Sequence, residues 1–170
     1  MGRAILESVR GIHIRKVRGT RELRACACLM AGSEPWITLR RTSGQVFDSL
    51  KGRSREVSVA VSGREVVGAI AVSMQGVLKG YIQAVCVAPG WRGEGVGRRL
   101  VRYAEKRILA ETPNVFLCVS SFNRRARKFY EELGYAKVGE LKDFVVRDHS
   151  EIIMRKSTGP LAGFRTRARR

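Results

Sequence analysis

The segment VAPGWRGEGVGRRLV, Val87 to Val101, sets glycines at 93, 95 and 97 and brackets them with Arg92, Arg98 and Arg99. Ahead of it, YIQAVCVAP (Tyr81 to Pro89) is an apolar run too short for a typical helix and is stopped by Pro89-Gly90, which reads as a buried strand. Behind it, Leu100, Ala104 and Ile108 recur at i, i+4 and i+8 with Val101 beside them, as on the buried face of a helix. Arg98, Arg102, Glu105 and Lys106 are expected to face water. A strand that ends in a glycine-rich turn and opens a helix presents unpaired N–H groups at the positive end of the helix dipole, an arrangement that binds phosphate. Glycine suits it because a Cβ would keep the backbone away from the anion.

Two common phosphate fingerprints do not fit. Counting G-x-G-x-x-G from Gly93 puts Arg98 in the last position, and counting from Gly95 puts Leu100 there. About twenty residues further on the chain is at Leu117, in an apolar run with no acid to hold a ribose. No Gly-Lys-Ser/Thr occurs anywhere, so a P-loop is excluded.

Working outward, Ile12 to Val17 alternates as a short strand, and Thr20 is placed to cap a helix with Leu23, Cys26, Ala27 and Met30 on one face. Gly32-Ser33-Glu34-Pro35 ends that helix, and SGQVFDSL reads as a second, short one. Glu56 to Val61 and Glu65 to Met74 read as a hairpin turning at Ser62-Gly63. VFLCV (Val115 to Val119) is a further buried strand. Asn123 then opens a helix with Ala126, Phe129, Tyr130 and Leu133 on one face, stopped by Gly134. AKVGELKDFVV and EIIMR read as two closing strands joined by RDHS. Strands and helices alternate in the middle and hairpins sit at both ends, so the expected fold is α/β (α+β), a mixed sheet covered by helices.

At 170 residues the chain suits one compact domain, expected over residues 1–156, with a basic, flexible tail over 157–170. No apolar run approaches a membrane span, MGRAILESVR lacks the apolar core of a secretory signal, and Leu6 stands where myristoylation wants Ser or Thr. A cytoplasmic protein is the expectation. Cys26, Cys28, Cys86 and Cys118 lie among apolar neighbours without zinc spacing and read as buried reduced thiols; no metal is expected. The net charge of +18 favours polyanionic partners such as RNA or acidic proteins, although Arg outnumbers Lys 25 to 8 along the whole chain, as codon bias alone would produce.

The spacing Val87-x-Pro89-x-x-Arg92-x-x-Gly95-x-Gly97-x-x-Leu100 resembles the acyl-CoA pyrophosphate loop, R-x-x-G-x-G, of the GNAT superfamily of acyl-CoA-dependent N-acetyltransferases. Asn123-x-x-Ala126-x-x-Phe129-Tyr130-x-x-Leu133-Gly134-Tyr135 resembles that family's downstream signature. The two motifs stand in the right order with VFLCV between them, and the likeness covers roughly Glu56 to Lys156. It implies a mixed, splayed sheet of about six to seven strands flanked by about four helices, parted at one end between YIQAVCVAP and VFLCV.

The resemblance also assigns roles. Backbone N–H groups of Arg92, Gly93, Glu94, Gly95, Val96 and Gly97 would hold the pyrophosphate of acetyl-CoA. Arg98 and Arg99 would either solvate the helix or meet the cofactor's remaining phosphate. The strand end at Val85, Cys86 and Val87 would hydrogen-bond the amide-rich pantetheine arm, as a strand edge recognises a peptide. Asn123 would contact the cofactor, and Tyr130 would lie near its sulfur as the general acid. The implied reaction is direct attack of an amine on acetyl-CoA in a ternary complex, leaving Cys86 and Cys118 as packing residues.

The base is where the chain departs from the pattern. In the ribosomal-protein alanine acetyltransferase branch, which the Asn-to-Tyr spacing resembles, a glutamate precedes the asparagine; the matching position here is Cys118. The earlier strand, where other members keep a glutamate, offers Tyr81 and Gln83. A water chain to Asp143, Asp148, His149 or Glu151 could substitute. Neutralising a lysine amine at pH 7 requires about 4 kcal/mol and an α-amine about 1 kcal/mol, so the missing base leans toward a peptide or protein α-amine. The alternatives are an acetyltransferase or binding protein associated with RNA, and a non-catalytic acetyl-CoA module. Relatives also suggest a homodimer through the last strands.

Overall fold

The computed structural model describes residues 11–166; the N-terminal segment MGRAILESVR and the last four residues of the basic tail lie outside the described residues. The elements run β1 (Ile12–Lys16), α1 (Gly19–Ala31), α2 (Ser43–Leu50), β2 (Arg55–Ser62), β3 (Glu65–Ser73), β4 (Tyr81–Val87), a 3₁₀ turn (Pro89–Trp91), α3 (Val96–Ile108), β5 (Asn114–Ser120), α4 (Arg124–Glu132), β6 (Ala136–Lys142) and β7 (Ser150–Ser157). The strands hydrogen-bond in the order β1-β2-β3-β4-β5-β7-β6. Among the described residues this is the mixed sheet with four α-helices that the family resemblance implies. The chain forms two compact units, Met1–Val72 with Ala84–Ala104, and Ser73–Gln83 with Glu105–Arg170.

In the first unit β1 pairs antiparallel with β2, from Ile12 opposite Ser62 to Lys16 opposite Ser58. Gly63, at φ +58°, makes the turn into β3. Cys26, Ala27 and Met30 of α1 and Val46 and Leu50 of α2 pack with Val57, Val59, Val61, Ala69 and Ala71 into one core. Each such side chain, fully removed from water, contributes about 1.5–3 kcal/mol for the larger aliphatics. At Gly68 α3 packs close against β3: a Cβ there would sit 3.0 Å from Leu100 Cδ1 and 3.4 Å from Val96 Cγ1.

Thr20 does not cap α1. The N-cap is Arg18, whose side chain makes no cap, and its backbone N–H donates to Glu22 Oε2 at 2.6 Å. Glu22 also receives both terminal nitrogens of Arg15, so an ion pair from β1 fixes the helix start. The helix at SGQVFDSL forms as expected, with a reciprocal capping box between Thr42 and Gln45.

In the second unit β5 and β7 pair antiparallel along their whole length, with Ser120 opposite Glu151 and Cys118 opposite Ile153. β6 pairs with the other edge of β7 through a register shift between Lys137 and Gly139. The first two residues of β4 pair parallel with β5, Tyr81 with Phe116 and Ile82 with Leu117. Gly80 (φ +90°) makes this possible, since a Cβ there would lie 2.5 Å from Ile108 Cγ2 and 2.6 Å from Asn114 O.

Three further expectations change. The strand read as AKVGELKDFVV ends at Lys142, because Asp143 enters the left-handed region at φ +51° and turns the chain. Glu105, expected to face water, is only 7% exposed. It accepts from the Tyr135 hydroxyl at 3.0 Å and from Lys156 Nζ at 3.0 and 3.1 Å, which satisfies a carboxylate that the helical period alone would leave in solvent. Of the four cysteines, all free thiols, only Cys26 and Cys86 are buried; Cys28 is exposed and Cys118 half-buried.

Candidate functional site

The glycine loop belongs to the first unit. After β4 the chain makes the 3₁₀ turn, and Gly93 (φ +87°) and Gly95 (φ +77°) then reverse it in the left-handed region before α3 begins at Val96. A Cβ on Gly93 or on Gly95 would meet nothing within 4 Å. These glycines therefore serve the backbone turn and leave an open side, the space in which a ligand can approach N–H groups. The first intrahelical bond runs from Arg99 N–H to Gly95 O at 3.0 Å, so the amides of the opening turn point out of the helix. α3 begins at the loop and so turns the positive end of its dipole to it, and its first turn carries no acidic residue to offset that charge. On these observations the residues present fit a phosphate group.

Not every expected contact is arranged alike. Arg92 donates through Nε to Val87 O at 3.0 Å and through Nη2 to Ser33 Oγ at 3.1 Å, tying the end of β4 to the segment after α1. Its backbone N–H is also engaged, with Pro89 O at 3.3 Å. Glu94 buries Oε2 without a hydrogen-bond partner. Arg99 reaches Ile12 O at 2.8 Å and so anchors α3 on β1. Ser33, which the sequence reading placed only in the stretch that ends α1, is buried and links Leu29 O, the Cys86 thiol and Arg92.

Val85 and Val87 are half-buried on β4 and Cys86 is buried between them. Burial pushes the Cys86 thiol up against the opposing Ser33 hydrogen bond and Arg92 charge, and burial drives Cys26 to about 12. Both remain thiols at neutral pH and are poor nucleophiles. β4 was expected to be buried throughout, but only Ile82 and Cys86 are; its remaining residues are half-buried.

In the second unit Asn123 is the N-cap of α4, its Oδ1 accepting from Ala126 N–H at 3.1 Å. Its signature position is thus in part a helix cap. Tyr130 is buried on α4, edge-on to Phe129 at 5.1 Å and to Tyr135 at 5.7 Å, and burial raises its phenol above the usual range. Asp143 and Asp148 are exposed turn residues, with Asp148 N–H donating to Asp143 Oδ1 at 2.6 Å. His149 stacks edge-on against Phe122 at 4.9 Å.

Glu151 differs from those three. It is 7% exposed, and its Oε1 accepts from Ser120 Oγ at 2.6 Å. Burial raises its carboxyl above the ordinary value, partly offset by the Ser120 hydrogen bond. Pleat alternation and register put Tyr81, Cys118, Ser120 and Glu151 on one face of the sheet. Tyr81 and Cys118 influence each other's titration, and desolvation is the larger cause that raises both groups. Sequence reasoning named Tyr81, Cys118 and Glu151 separately and did not name Ser120; strand register unites them.

A family model described as the acetyltransferase (GNAT) family matches residues 21–135. The chain belongs to this family: it is an acyl-CoA-dependent N-acetyltransferase, with acetyl-CoA as its donor. Similar solved structures include an aminoglycoside 6'-N-acetyltransferase complexed with coenzyme A, 21% identical at a TM-score of 0.69, with 87% of this chain and 98% of that one covered. The ribosomal-protein alanine N-acetyltransferase from Escherichia coli is 18% identical at a TM-score of 0.68, with 89% and 97% covered. A spermidine N-acetyltransferase variant from Vibrio cholerae is 17% identical at 0.66, with 91% and 98% covered. At these identities the likeness establishes the fold. No curated protein sequence matches the chain. Among the described residues no helix is long and apolar enough to cross a membrane.

Proposed function

We propose that this acetyltransferase acts on a primary amine, with a peptide or protein α-amine as the favoured acceptor, by direct attack within one ternary complex. The observation that carries the donor side is the loop, in which two glycines in left-handed conformation leave open space before the N-terminus of α3. In this reading the amides from Gly93 to Gly97 hold the pyrophosphate. Arg92, fastened to Val87 and Ser33, shapes the loop with its side chain. Val85 to Val87 receive the pantetheine amides and Asn123 contacts the donor.

When bound, acetyl-CoA supplies an activated acetyl group and a thiolate leaving group. Tyr130 would donate to that sulfur. Its burial keeps the phenol protonated, so the donating form is fully populated at neutral pH. Even from an unperturbed phenol near 10, complete transfer to a thiolate near 8.5 would be uphill by about 2 kcal/mol, and the burial of Tyr130 adds to that, so it acts best by sharing its proton as charge develops. The buried Cys86 and Cys26 thiols support a route without a covalent enzyme intermediate.

The acceptor preference rests on the cost of neutralising the amine, about 1 kcal/mol for an α-amine against about 4 kcal/mol for lysine. The test is acetylation of peptides with free α-amines, compared with the same peptides N-terminally blocked and carrying lysine, and with spermidine and an aminoglycoside. Turnover confined to free α-amines is expected. Faster turnover of spermidine, aminoglycoside or blocked peptides would overturn the acceptor, and no acetyl-CoA binding would overturn the whole reading.

A further inference from the structure

We propose that Glu151 is the general base of the transfer, held by Ser120 on the sheet face it shares with Cys118 and Tyr81; this rests on the acetyl-transfer reading above. The two positions where the family resemblance sets a glutamate hold Cys118 and, on β4, Tyr81 and Gln83, none of which can take a proton at neutral pH. Gln83 does not titrate, and burial raises both the thiol and the phenol, which keeps them protonated. The carboxylate of this face stands instead on β7, directly opposite Ser120 and so two residues along β5 from Cys118.

The surroundings of Glu151 suit the task. β5 contributes Ser120 and Cys118, β4 contributes Tyr81, and β6 sets Leu141 opposite on the other side of β7. No cation figures among the causes that set its titration; burial is the larger one and the Ser120 hydrogen bond the smaller. A carboxylate that were only a structural anchor would be expected to meet a cation, as Glu105 meets Lys156. Glu151 has instead a single neutral donor at Oε1, leaving Oε2 to receive a proton. Gln83 adds a second acceptor on the face marked by Tyr81, since its Oε1 is buried without a partner. A carboxylate oxygen and an amide oxygen can both accept from an ammonium group.

The step balances as follows. The acceptor's ammonium gives one proton to Glu151 Oε2. The freed nitrogen lone pair forms the C–N bond to the acetyl carbon while the C–S bond breaks, its electron pair going to sulfur. The sulfur takes its proton from Tyr130 and becomes a thiol, the nitrogen's second proton is lost to solvent while solvent returns one to the Tyr130 phenol, and Glu151 releases its proton to solvent.

The test uses the full chain with acetyl-CoA and peptides bearing free N-terminal alanine or serine. Glu151→Gln keeps the shape and an acceptor for Ser120. It should lower kcat at pH 7 by about 100-fold or more, remove the acidic limb of the pH–rate profile, and leave acetyl-CoA affinity within about threefold. Ser120→Ala should move the acidic limb to higher pH, because the lost hydrogen bond favours the ionised carboxyl; a merely structural serine would lower activity without moving the limb. A carbon-13 titration of labelled glutamate carboxyls should show one group above the ordinary range that vanishes in Glu151→Gln, a readout independent of turnover. An active wild type whose Glu151→Gln variant keeps its rate and acidic limb overturns the base. A wild type that binds acetyl-CoA but acetylates no amine overturns the acetyl-transfer reading itself.

Discussion

Gly95→Ala separates what the loop does for the fold from what it does for the ligand. Gly95 sits at φ +77°, and a Cβ there would meet nothing within 4 Å, so the substitution introduces backbone strain without overlap. That strain is about 1–2 kcal/mol, equivalent to a fall in Tm of about 2–8 °C for a chain of this size. Gly63, at φ +58° in the β2–β3 turn and equally uncrowded, provides the matched control. The same strain applies there, far in sequence from the glycine loop. In the loop, the new methyl group fills the open side where an anion would approach the amides. Losing one N–H bond to a charged phosphate oxygen costs about 1.5–3 kcal/mol, a rise in Kd of about 10- to 150-fold. Differential scanning fluorimetry and isothermal titration with acetyl-CoA measure the two effects separately. Both variants should lose similar stability, and only Gly95→Ala should lose affinity. Equal affinities for acetyl-CoA in the two variants would refute the loop as the pyrophosphate cradle.

Other consequences are open to similar measurement. Glu105→Gln leaves Lys156 without its anion and should cost about 2–3 kcal/mol, below the figure for a fully buried pair because the Lys156 side chain is 33% exposed; chemical denaturation with Lys156→Met and the double variant would reveal the coupling, and strict additivity would refute it. Gly80→Ala would place a Cβ 2.5 Å from Ile108 Cγ2 and 2.6 Å from Asn114 O, and should cost about 3 kcal/mol or prevent soluble expression; an unchanged Tm would mean that the approach of Gly80 to Ile108 and Asn114 is looser than described. The Arg15 hydrogen bonds hold Glu22 down to about 2, so this pair stabilises the fold above the ordinary carboxylate value of 4.5, with the contribution lost as pH falls from there through 2. Arg15→Met should flatten the stability–pH curve in that window, and an unaltered curve would show that the pair contributes nothing.

Much of the fold was legible because it is written at short range. Alternation marks β1 and the β2–β3 hairpin, and the four-residue recurrence at Leu100, Ala104 and Ile108 marks the buried face of α3. Thr20 misled because a capping side chain is only one way to satisfy a helix start; here Glu22, reached from Arg15 on another strand, takes the Arg18 N–H. Glu105 misled because helical period locates a residue on the cylinder but does not know that Tyr135 and Lys156 will meet it.

The sequence by itself determined the glycine turn before α3, the asparagine-led helix carrying Tyr130, and with them the family, because each motif is contiguous and its chemistry depends on local backbone form. Tertiary structure alone decided that Arg92 is fastened to Ser33 and that Glu151, among several nearby titratable residues, becomes the buried carboxylate opposite Ser120. The reason is register: shifting a strand by one residue turns every side chain to the other face, and no contiguous stretch records which residue of β7 lies opposite which residue of β5.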